Sequence, residues 1–270
     1  MRRILTAGLL PFALFACQGT SPSSEAPTEA AEAAVLTTVE NNNSADNTLT
    51  EQEKEDGWEL LFDGQTTEHW RGAHQSSFPE QGWEVNKGML IVQPADGSES
   101  QNGGDIVTNE EYANFEFQVD FKLTEGANSG IKYFVTEGYD SQKSAIGLEY
   151  QLLDDARHPD AKLGNNGGDT RTLASLYDLK AAPKDKPARP IGEWNTARVV
   201  VQGNQVAHYL NGEKVLEYER GSKEYQQLVR ASKYKDWDNF GLAEQGHILL
   251  QDHGNQVFFK NIKVRDLSAS

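Results

Sequence analysis

The segment from Phe115 to Leu123 carries an apolar residue at every second position, and no other feature constrains the fold of this chain as strongly. The five apolar side chains are Phe115, Phe117, Val119, Phe121 and Leu123. Successive side chains of a β-strand point to opposite faces of the sheet, so a period of two predicts a strand with one buried face. The polar residues between them predict a second face turned to solvent, as in an antiparallel sheet.

Short segments of similar character, separated by Gly, Asn and Asp, follow one another from Trp58 onward. Gly203-Asn204 and Asn211-Gly212 are hairpin signals, because both residue types tolerate the positive φ of tight turns. The predicted strands are 59–62, 83–86, 89–92, 115–123, 130–134, 147–153, 195–202, 205–210, 213–219, 247–252 and 257–265. One helix is predicted over 223–231, and the strands do not alternate with helices as a parallel sheet would require. The pattern therefore predicts an all-β, antiparallel two-sheet sandwich.

The first 17 residues have the organisation of an export signal. Arg2 and Arg3 precede an apolar run over 4–15 that is too short to span a bilayer. Residues 14–17 then read Leu-Phe-Ala-Cys, which resembles the lipobox of bacterial lipoproteins, where the cysteine is acylated. We expect a signal peptide over 1–17, lipidation at Cys17, and a lipid-anchored protein of the bacterial cell envelope, periplasmic or at the outer membrane. An ordinary signal peptide that leaves a free thiol is the alternative.

Residues 18–55 are rich in Ser, Ala, Glu, Thr, Asn and Pro and contain almost no aromatic residues. Such a segment buries too little apolar surface to offset its ordering entropy, which predicts a flexible tether ahead of a domain over 56–268. The formal net charge is -16, so phosphate backbones would be repelled, and this excludes nucleic acid as a partner. Membrane contact is expected only through the lipid anchor, and the sequence indicates no protein partner.

Seven short motifs occur in order between Trp58 and Leu267. They are Leu61-Phe62-Asp63-Gly64, Gly126-Ala127-Asn128-Ser129-Gly130-Ile131, Glu149-Tyr150-Gln151-Leu152-Leu153-Asp154-Asp155, Gly192-Glu193-Trp194-Asn195, Tyr209-Leu210-Asn211-Gly212, Leu250-Gln251-Asp252-His253-Gly254 and Phe259-Lys260-Asn261-Ile262. Together they resemble the 3-keto-disaccharide hydrolase domain family. The resemblance implies a jelly-roll sandwich of the concanavalin A-like lectin and glucanase type, with sugars on its concave face. It also implies an enzyme that cleaves glycosides whose glucosyl ring is oxidised at C3.

Carboxylates along one strand are the first candidate catalytic groups. Glu149, Gln151 and, past an expected bulge, Asp154 project polar groups from a strand whose other face carries apolar residues. Carbohydrate acid/base chemistry uses carboxylates placed in this way. The strand resembles the Glu-x-Asp-x-x-Glu strand of laminarinase-like glucanases, but the middle acid is Gln and the last is Asp. This departure argues against a retaining double displacement, and a solvated strand face is the plain alternative.

A second candidate group ends an apolar strand before Gly254. Gln251 and His253 share one face by the period of two, and His253 can transfer protons near neutral pH. Lys132 follows Gly130 in another strand, where a cation could polarise a ketone or the enolate formed from it. The alternatives are a structural histidine and an exposed strand lysine.

The segment from Asp155 to Arg171 predicts a long polar loop that shapes a binding site, with His158 and Arg171 as substrate-binding candidates. Gln151 and Gln251 are further substrate-binding candidates. Tyr133 and Tyr177 are candidates for contact with sugar rings. No cofactor is required by the sequence. Asp154, Asp155 and His253 could converge on one divalent cation, which we keep as an open hypothesis.

These assignments predict a specific reaction. Glu149 or His253 removes the proton at C2 next to the 3-ketone, Lys132 or an ion stabilises the enolate, and Asp154 assists departure of the glycosidic oxygen. Water then adds, so the net result is hydrolysis. Two alternatives stay open: a lectin-like binding lipoprotein without catalysis, and an ordinary glucan hydrolase, which Gln151 disfavours.

Overall fold

The computed structural model describes residues 45–95, 100, 102–138, 145–165 and 168–268. The predicted signal peptide and Cys17 therefore lie outside the described residues. Thirteen strands and two α-helices make up the described part. The strands are β1 (Trp58–Leu60), β2 (Trp70–Gly72), β3 (Trp83–Asn86), β4 (Met89–Val92), β5 (Ile106–Thr108), β6 (Phe115–Leu123), β7 (Asn128–Glu137), β8 (Ala145–Leu153), β9 (Asn195–Gln202), β10 (Gln205–Leu210), β11 (Glu213–Glu219), β12 (His247–Leu250) and β13 (Val257–Asp266). The helices are α1 (Glu51–Glu55) and α2 (Lys223–Arg230), and a short 3-10 helix spans Pro159–Lys162.

The strands form two antiparallel sheets. One has eight strands in the order β11-β10-β9-β6-β13-β4-β3, with β1 paired to the C-terminal half of β13. The other has five strands in the order β2-β5-β12-β7-β8. This arrangement confirms the predicted two-sheet antiparallel fold. In the described part of the chain, no helix combines the length and the apolar character needed to cross a membrane.

The core lies between the facing surfaces of the two sheets. The alternating side chains of β6 are all buried on its inner face, as their spacing predicted. In the five-stranded sheet, Ile131, Leu148, Tyr150 and Leu250 point into the same core. The period of two then turns their neighbours to the outer face of the five-stranded sheet. Polar residues of β7 and β8 therefore lie on that outer face, where they can form a site.

The folded part begins earlier than the predicted boundary at residue 56. Asn47 and Asn261 exchange two hydrogen bonds, from each backbone amide to the other's side-chain oxygen, at 2.6 and 2.8 Å. Helix α1 begins with a capping box, in which Thr50 and Glu53 bond each other's backbone amides. Polar contacts rather than apolar burial hold residues 47–53 in place, and composition therefore assigns them to the tether.

Candidate active site

A row of charged side chains crosses the outer face of the five-stranded sheet. Lys132 of β7 and Glu149 of β8 are direct cross-strand partners, so their Cβ atoms share one face at about 5 Å. Asp105, which immediately precedes β5, continues the row on the other side of Lys132. Its Oδ2 atom lies 3.4 Å from Lys132 Nζ. All three side chains are largely withdrawn from water, with exposed fractions of 11% for Lys132 and 7% for Asp105.

This row forms the floor of a cleft of about 650 Å³. One wall consists of His74 and the turn at Gly103 and Gly104. The opposite wall is formed by the segment that comes after helix α2 in the chain, with the side chains of Lys233, Tyr234 and Trp237. Binding sites for small molecules commonly have volumes between about 300 and 1,000 Å³, so the cleft can hold a sugar of one or two rings.

Glu149 is held against the sheet by its neighbours. Its side chain lies over Gly130, where a Cβ atom would overlap the carboxylate oxygen Oε1. Its backbone oxygen accepts a hydrogen bond of 3.0 Å from the Tyr177 amide. The side chain is buried, and a buried carboxylate on the floor of a cleft is a candidate acid or base. Gly130 is thus required for the packing of Glu149 rather than for a turn.

Asp105 is fixed by three donors. Lys132 contacts Oδ2, while Ser100 Oγ and the Asp252 amide donate to Oδ1 at 3.0 and 2.9 Å. Asp252 in turn accepts the amides of Gly104 and Gly254 at 3.3 and 2.9 Å. Burial raises the pKa of Asp252 above its usual range. Asp252 therefore organises the turn beside the cleft, whereas Asp105 connects that turn to Lys132.

Two predicted binding residues, Arg171 and Tyr177, belong to a polar network behind the α2 wall. The Arg171 guanidinium binds both Asp160 and Asp178 at 2.7 Å, and the Tyr177 hydroxyl donates to Asp160 at 2.9 Å. Burial raises the pKa of Tyr177 strongly, with a further contribution from the nearby Glu149 charge. The ammonium of Lys233 lies 4.3 Å from the centre of the Tyr177 ring. The network therefore supports the wall that carries Lys233.

Gln151 and Gln251 lie beside the charged row. Gln151 is the cross-strand partner of Gly130, and the Gln251 amide donates to the Gly130 carbonyl at 3.0 Å. The register places both residues on the same sheet face as Lys132 and Glu149, but both side chains are buried and neither lines the cleft. The structure thus brings Lys132, Glu149 and the two glutamines together.

Tyr133 does not face the cleft, contrary to the prediction. The alternation of β7 that turns Lys132 outward turns Tyr133 into the core, where it is 1% exposed. Its hydroxyl is 2.7 Å from His208 Nε2 and 2.6 Å from the Tyr218 hydroxyl. Tyr133 therefore joins the two sheets and is unavailable to a sugar.

Asp154 forms a turn at the end of β8 rather than part of the cleft. Its carboxylate accepts the Gly126 amide at 2.8 Å, the Ala156 amide at 3.2 Å and the Arg157 side chain at 3.2 Å. Burial alone would raise the pKa of Asp154, but these donors outweigh burial and lower it. A carboxylate held ionised in this way is a poor proton donor near neutral pH, so the predicted role as general acid is not supported.

The two predicted histidines pair with each other, also away from the cleft. The His158 and His253 rings meet edge to face, with centroids 6.2 Å apart. His158 Nδ1 accepts the Asp160 amide at 3.2 Å, and burial lowers the pKa of His158. Neither ring is among the side chains that line the cleft. His253 therefore lies beyond the end of β12 and beside His158, and it is not part of the cleft lining.

The hypothetical ion site at Asp154, Asp155 and His253 does not form. Asp155 is bound by the Lys186 ammonium at 2.8 Å and by the Leu173 amide at 2.7 Å. Across residues 45–95, 100, 102–138, 145–165 and 168–268, no three His, Cys, Asp or Glu side chains are grouped as a metal ion would require. We therefore assign no step to an ion at these three residues.

Apart from Lys132 and Glu149, the residues that line the cleft were not predicted from the sequence, among them Asp105, His74, Lys233 and Trp237. Asp105 follows two glycines and precedes a strand of only three residues, too short to show alternation. Lys233 and Trp237 lie in the irregular segment after α2, where no periodicity indicates which side chains face a site. The glycine pair before Asp105 was the one available signal, since a Gly-rich turn beside a strand often borders a site.

Comparisons with known proteins identify the family of this chain. Residues 57–265 match the model of a family described as 3-keto-alpha-glucoside-1,2-lyase-like domain. A 3-keto-disaccharide hydrolase of Bacteroides thetaiotaomicron is 37% identical over 235 residues, which cover 78% of this chain and 79% of that protein.

Two crystal structures from Parabacteroides distasonis, both described as candidate glycosyl hydrolases, share the fold. The first superposes with a TM-score of 0.72 at 33% identity and covers 83% of this chain and 100% of the other. The second gives a TM-score of 0.58 at 27% identity, with coverage of 78% and 99%. The family model matches most of the chain, and the name of the relative from Bacteroides thetaiotaomicron is consistent with that family. The chain belongs to the 3-keto-alpha-glucoside-1,2-lyase-like domain family.

Proposed function

We propose that this protein is an enzyme that hydrolyses the glycosidic bond of 3-keto-glycosides, 3-keto-disaccharides in particular, within the cleft above Lys132 and Glu149. One observation carries the proposal: a carboxylate and an ammonium face each other on the floor of a cleft large enough for a sugar. The 3-keto-disaccharide hydrolase of Bacteroides thetaiotaomicron, with 37% identity, supports the substrate class.

A ketone at C3 makes the proton at C2 acidic, and the floor of the cleft holds the two groups that its removal needs. Glu149 takes the C2 proton, and the electrons of the C–H bond move to form an enolate across C2 and C3. Lys132 donates a hydrogen bond to the C3 oxygen, where the negative charge develops. A buried cation stabilises such charge more strongly than water does, because the low dielectric of the site strengthens the interaction.

The enolate then expels the aglycone. The C3 carbonyl re-forms, a double bond forms between C1 and C2, and the bond from C1 to the glycosidic oxygen breaks. The departing oxygen gains a proton. We assign this step to Lys233 and His74 on the two walls of the cleft, because each can donate a proton or orient water. Water finally adds at C1 and a proton returns to C2, so that hydrolysis is complete.

The experiment is an incubation of the full chain with 3-keto-trehalose and with trehalose in deuterated water. We expect glucose release from the oxidised sugar alone, with deuterium at C2 of the recovered keto-sugar. Cleavage of both sugars without deuterium uptake would indicate an ordinary glucan hydrolase. Binding of the keto-sugar without cleavage would instead favour the lectin-like alternative.

We also propose that the protein is exported and lipid-anchored through Cys17 in the bacterial cell envelope. The positive pair Arg2 and Arg3, the short apolar run and the single cysteine of the chain support this proposal. Cys17→Ser should abolish incorporation of radiolabelled fatty acid and release the protein from the membrane fraction. Unchanged labelling of the variant would contradict the anchor.

A further inference from the structure

We infer that Asp105 is a positioning residue, which holds Lys132 charged and in place beside Glu149. The inference rests on the proposed function, because Lys132 is the group that it serves. The ion pair joins Asp105 Oδ2 to Lys132 Nζ at 3.4 Å. It joins two parts of the sheet that β12 separates, namely the residue before β5 and strand β7.

The ion pair between Asp105 and Lys132 is largely buried, which strengthens its effect on the charge of Lys132. The Lys132 side chain is 11% exposed and the Asp105 side chain 7% exposed, so little water compensates either charge. An ammonium in such a place loses its proton more readily unless an opposite charge is close. The groups that face Lys132 are Asp105 on the β5 side, Glu149 on β8, and His74 and Lys233 across the cleft.

The Oδ1 atom of Asp105 accepts hydrogen bonds from two other groups of the protein. Ser100 Oγ and the Asp252 amide both donate to Oδ1, which leaves Oδ2 directed toward Lys132. The carboxylate therefore cannot rotate without breaking two hydrogen bonds. Asp105 thus fixes the direction in which Lys132 extends, in addition to compensating its charge.

Glu149 and Asp105 flank one ammonium, but their roles differ. Glu149 faces the cleft from the strand opposite Lys132, while Asp105 accepts three donors from the protein. Both oxygens of Asp105 are engaged by donors of the protein, so this carboxylate is poorly placed to exchange a proton with a substrate. We therefore assign proton transfer to Glu149 and orientation to Asp105.

The test compares Asp105→Asn with the wild type in two measurements. The first is kinetic, with 3-keto-trehalose. We expect kcat to fall by about 10- to 100-fold while KM changes by less than about threefold. The reason is that the substitution displaces the Lys132 ammonium but leaves the surface that binds the sugar unchanged. The alkaline limb of the kcat profile should move to lower pH by about one unit, because Lys132 loses one of the two carboxylates that flank it.

The second measurement does not depend on activity. Competitive labelling with an amine-reactive reagent at pH 8, read by mass spectrometry, reports how much of each lysine is uncharged. We expect Lys132 to react about tenfold faster in the variant, with Lys184, whose side chain is 87% exposed and lies outside the cleft lining, as the internal standard. If the wild type does not cleave the keto-sugar, the proposed function fails, but this labelling still decides the role of Asp105.

Asp120→Asn is the matched control, since Asp120 accepts hydrogen bonds from Thr196 and Asn261 in the eight-stranded sheet and not from Lys132. It should lower the melting temperature without moving the alkaline limb or the labelling of Lys132. Asp105→Glu keeps the charge and carries the test if Asp105→Asn does not fold: kcat should fall while the alkaline limb stays in place. Wild-type kcat, alkaline limb and Lys132 labelling in a folded Asp105→Asn variant would overturn the inference.

Discussion

Lys132 and Glu149 face each other across β7 and β8 on the outer face of the five-stranded sheet. Directly opposite residues of an antiparallel pair bring their side chains within contact distance, and both strands belong to a rigid sheet. The pair therefore presents a carboxylate and an ammonium in fixed geometry to whatever enters the cleft. This relationship is the basis of the proposed chemistry and of the first prediction.

Glu149→Gln removes the proposed base while keeping the shape of the side chain. We expect kcat with 3-keto-trehalose to fall by about 100- to 10,000-fold, because an amide cannot accept the C2 proton. The measurement is glucose release, together with loss of deuterium exchange at C2. Glu116→Gln is the control: Glu116 is also a buried strand glutamate, but it pairs with Arg198 and Arg265 in the other sheet. The kcat of the Glu116→Gln variant should stay near the wild-type value. Equal losses of activity in both variants would contradict the assignment of Glu149 as the base.

Trp237→Ala removes an aromatic side chain from the cleft wall. Aromatic rings commonly pack on the apolar face of sugars, and loss of one such contact costs about 1 kcal/mol. We therefore expect KM for the keto-sugar to rise by about 5- to 10-fold with little change in kcat. Trp194→Ala is the control, because Trp194 contacts Lys122 and Lys260 of the eight-stranded sheet. A KM unchanged by Trp237→Ala would show that the wall does not contact the substrate.

Asp154→Asn tests whether this carboxylate serves the fold or the reaction. Its bonds to the Gly126 and Ala156 amides and to Arg157 predict a loss of about 1–3 kcal/mol in the free energy of unfolding. Because the folded-state pKa is lowered, the wild-type contribution is present above the ordinary value near 3.8 and is lost as the pH falls below it. Urea denaturation at pH 7 measures the loss. A folded variant that has lost kcat by more than tenfold would restore Asp154 to a catalytic role.

His208 predicts an acid sensitivity of the core. It is fully buried, and burial lowers its pKa from 6.5 to about 4. Between pH 6.5 and about pH 4, His208 is therefore protonated in the unfolded chain but not in the folded protein. The free energy of unfolding falls as the pH drops through this range. The expected loss is about 3 kcal/mol over this range. His208→Gln should reduce this slope in urea denaturation at pH 7, 5.5 and 4.5, and an unchanged slope would assign it to other groups.

Burial lowers the pKa of His208, whereas its hydrogen bond to the Ala174 carbonyl acts in the opposite direction; the hydrogen bonds define the tautomer of the neutral ring. Nδ1 is 2.9 Å from the Ala174 carbonyl and must carry the proton there, so Nε2 accepts from the Tyr133 hydroxyl at 2.7 Å. Protonation would leave Nε2 as a second donor facing a hydroxyl that already contacts Tyr218. A neutral imidazole is thus built into the interface between the sheets.

The sequence by itself determined the fold class and most strand positions. The bounds predicted over 83–86, 89–92, 115–123, 195–202, 205–210 and 213–219 agree with β3, β4, β6, β9, β10 and β11. These strands alternate clearly or flank tight two-residue turns that contain Gly, namely Lys87-Gly88, Gly203-Asn204 and Asn211-Gly212, so local chemistry suffices to place them. The seven motifs likewise indicated the family, which the family model and the Bacteroides thetaiotaomicron relative confirm. Strands β2 and β5, with three residues each, are too short to carry a period and were missed.

Only the tertiary structure decided which polar residues meet. The period of two could place Lys132 and Tyr133 on opposite faces, but it could not show which face is covered by the other sheet. Cross-strand register brought Lys132 to Glu149, and the turn before β5 added Asp105 from far away in the chain. The chain's path after β12 took His253 to His158 instead. Side-chain direction is a local property that a sequence encodes, whereas convergence on a cleft depends on long-range strand order and loop paths, which no local pattern records.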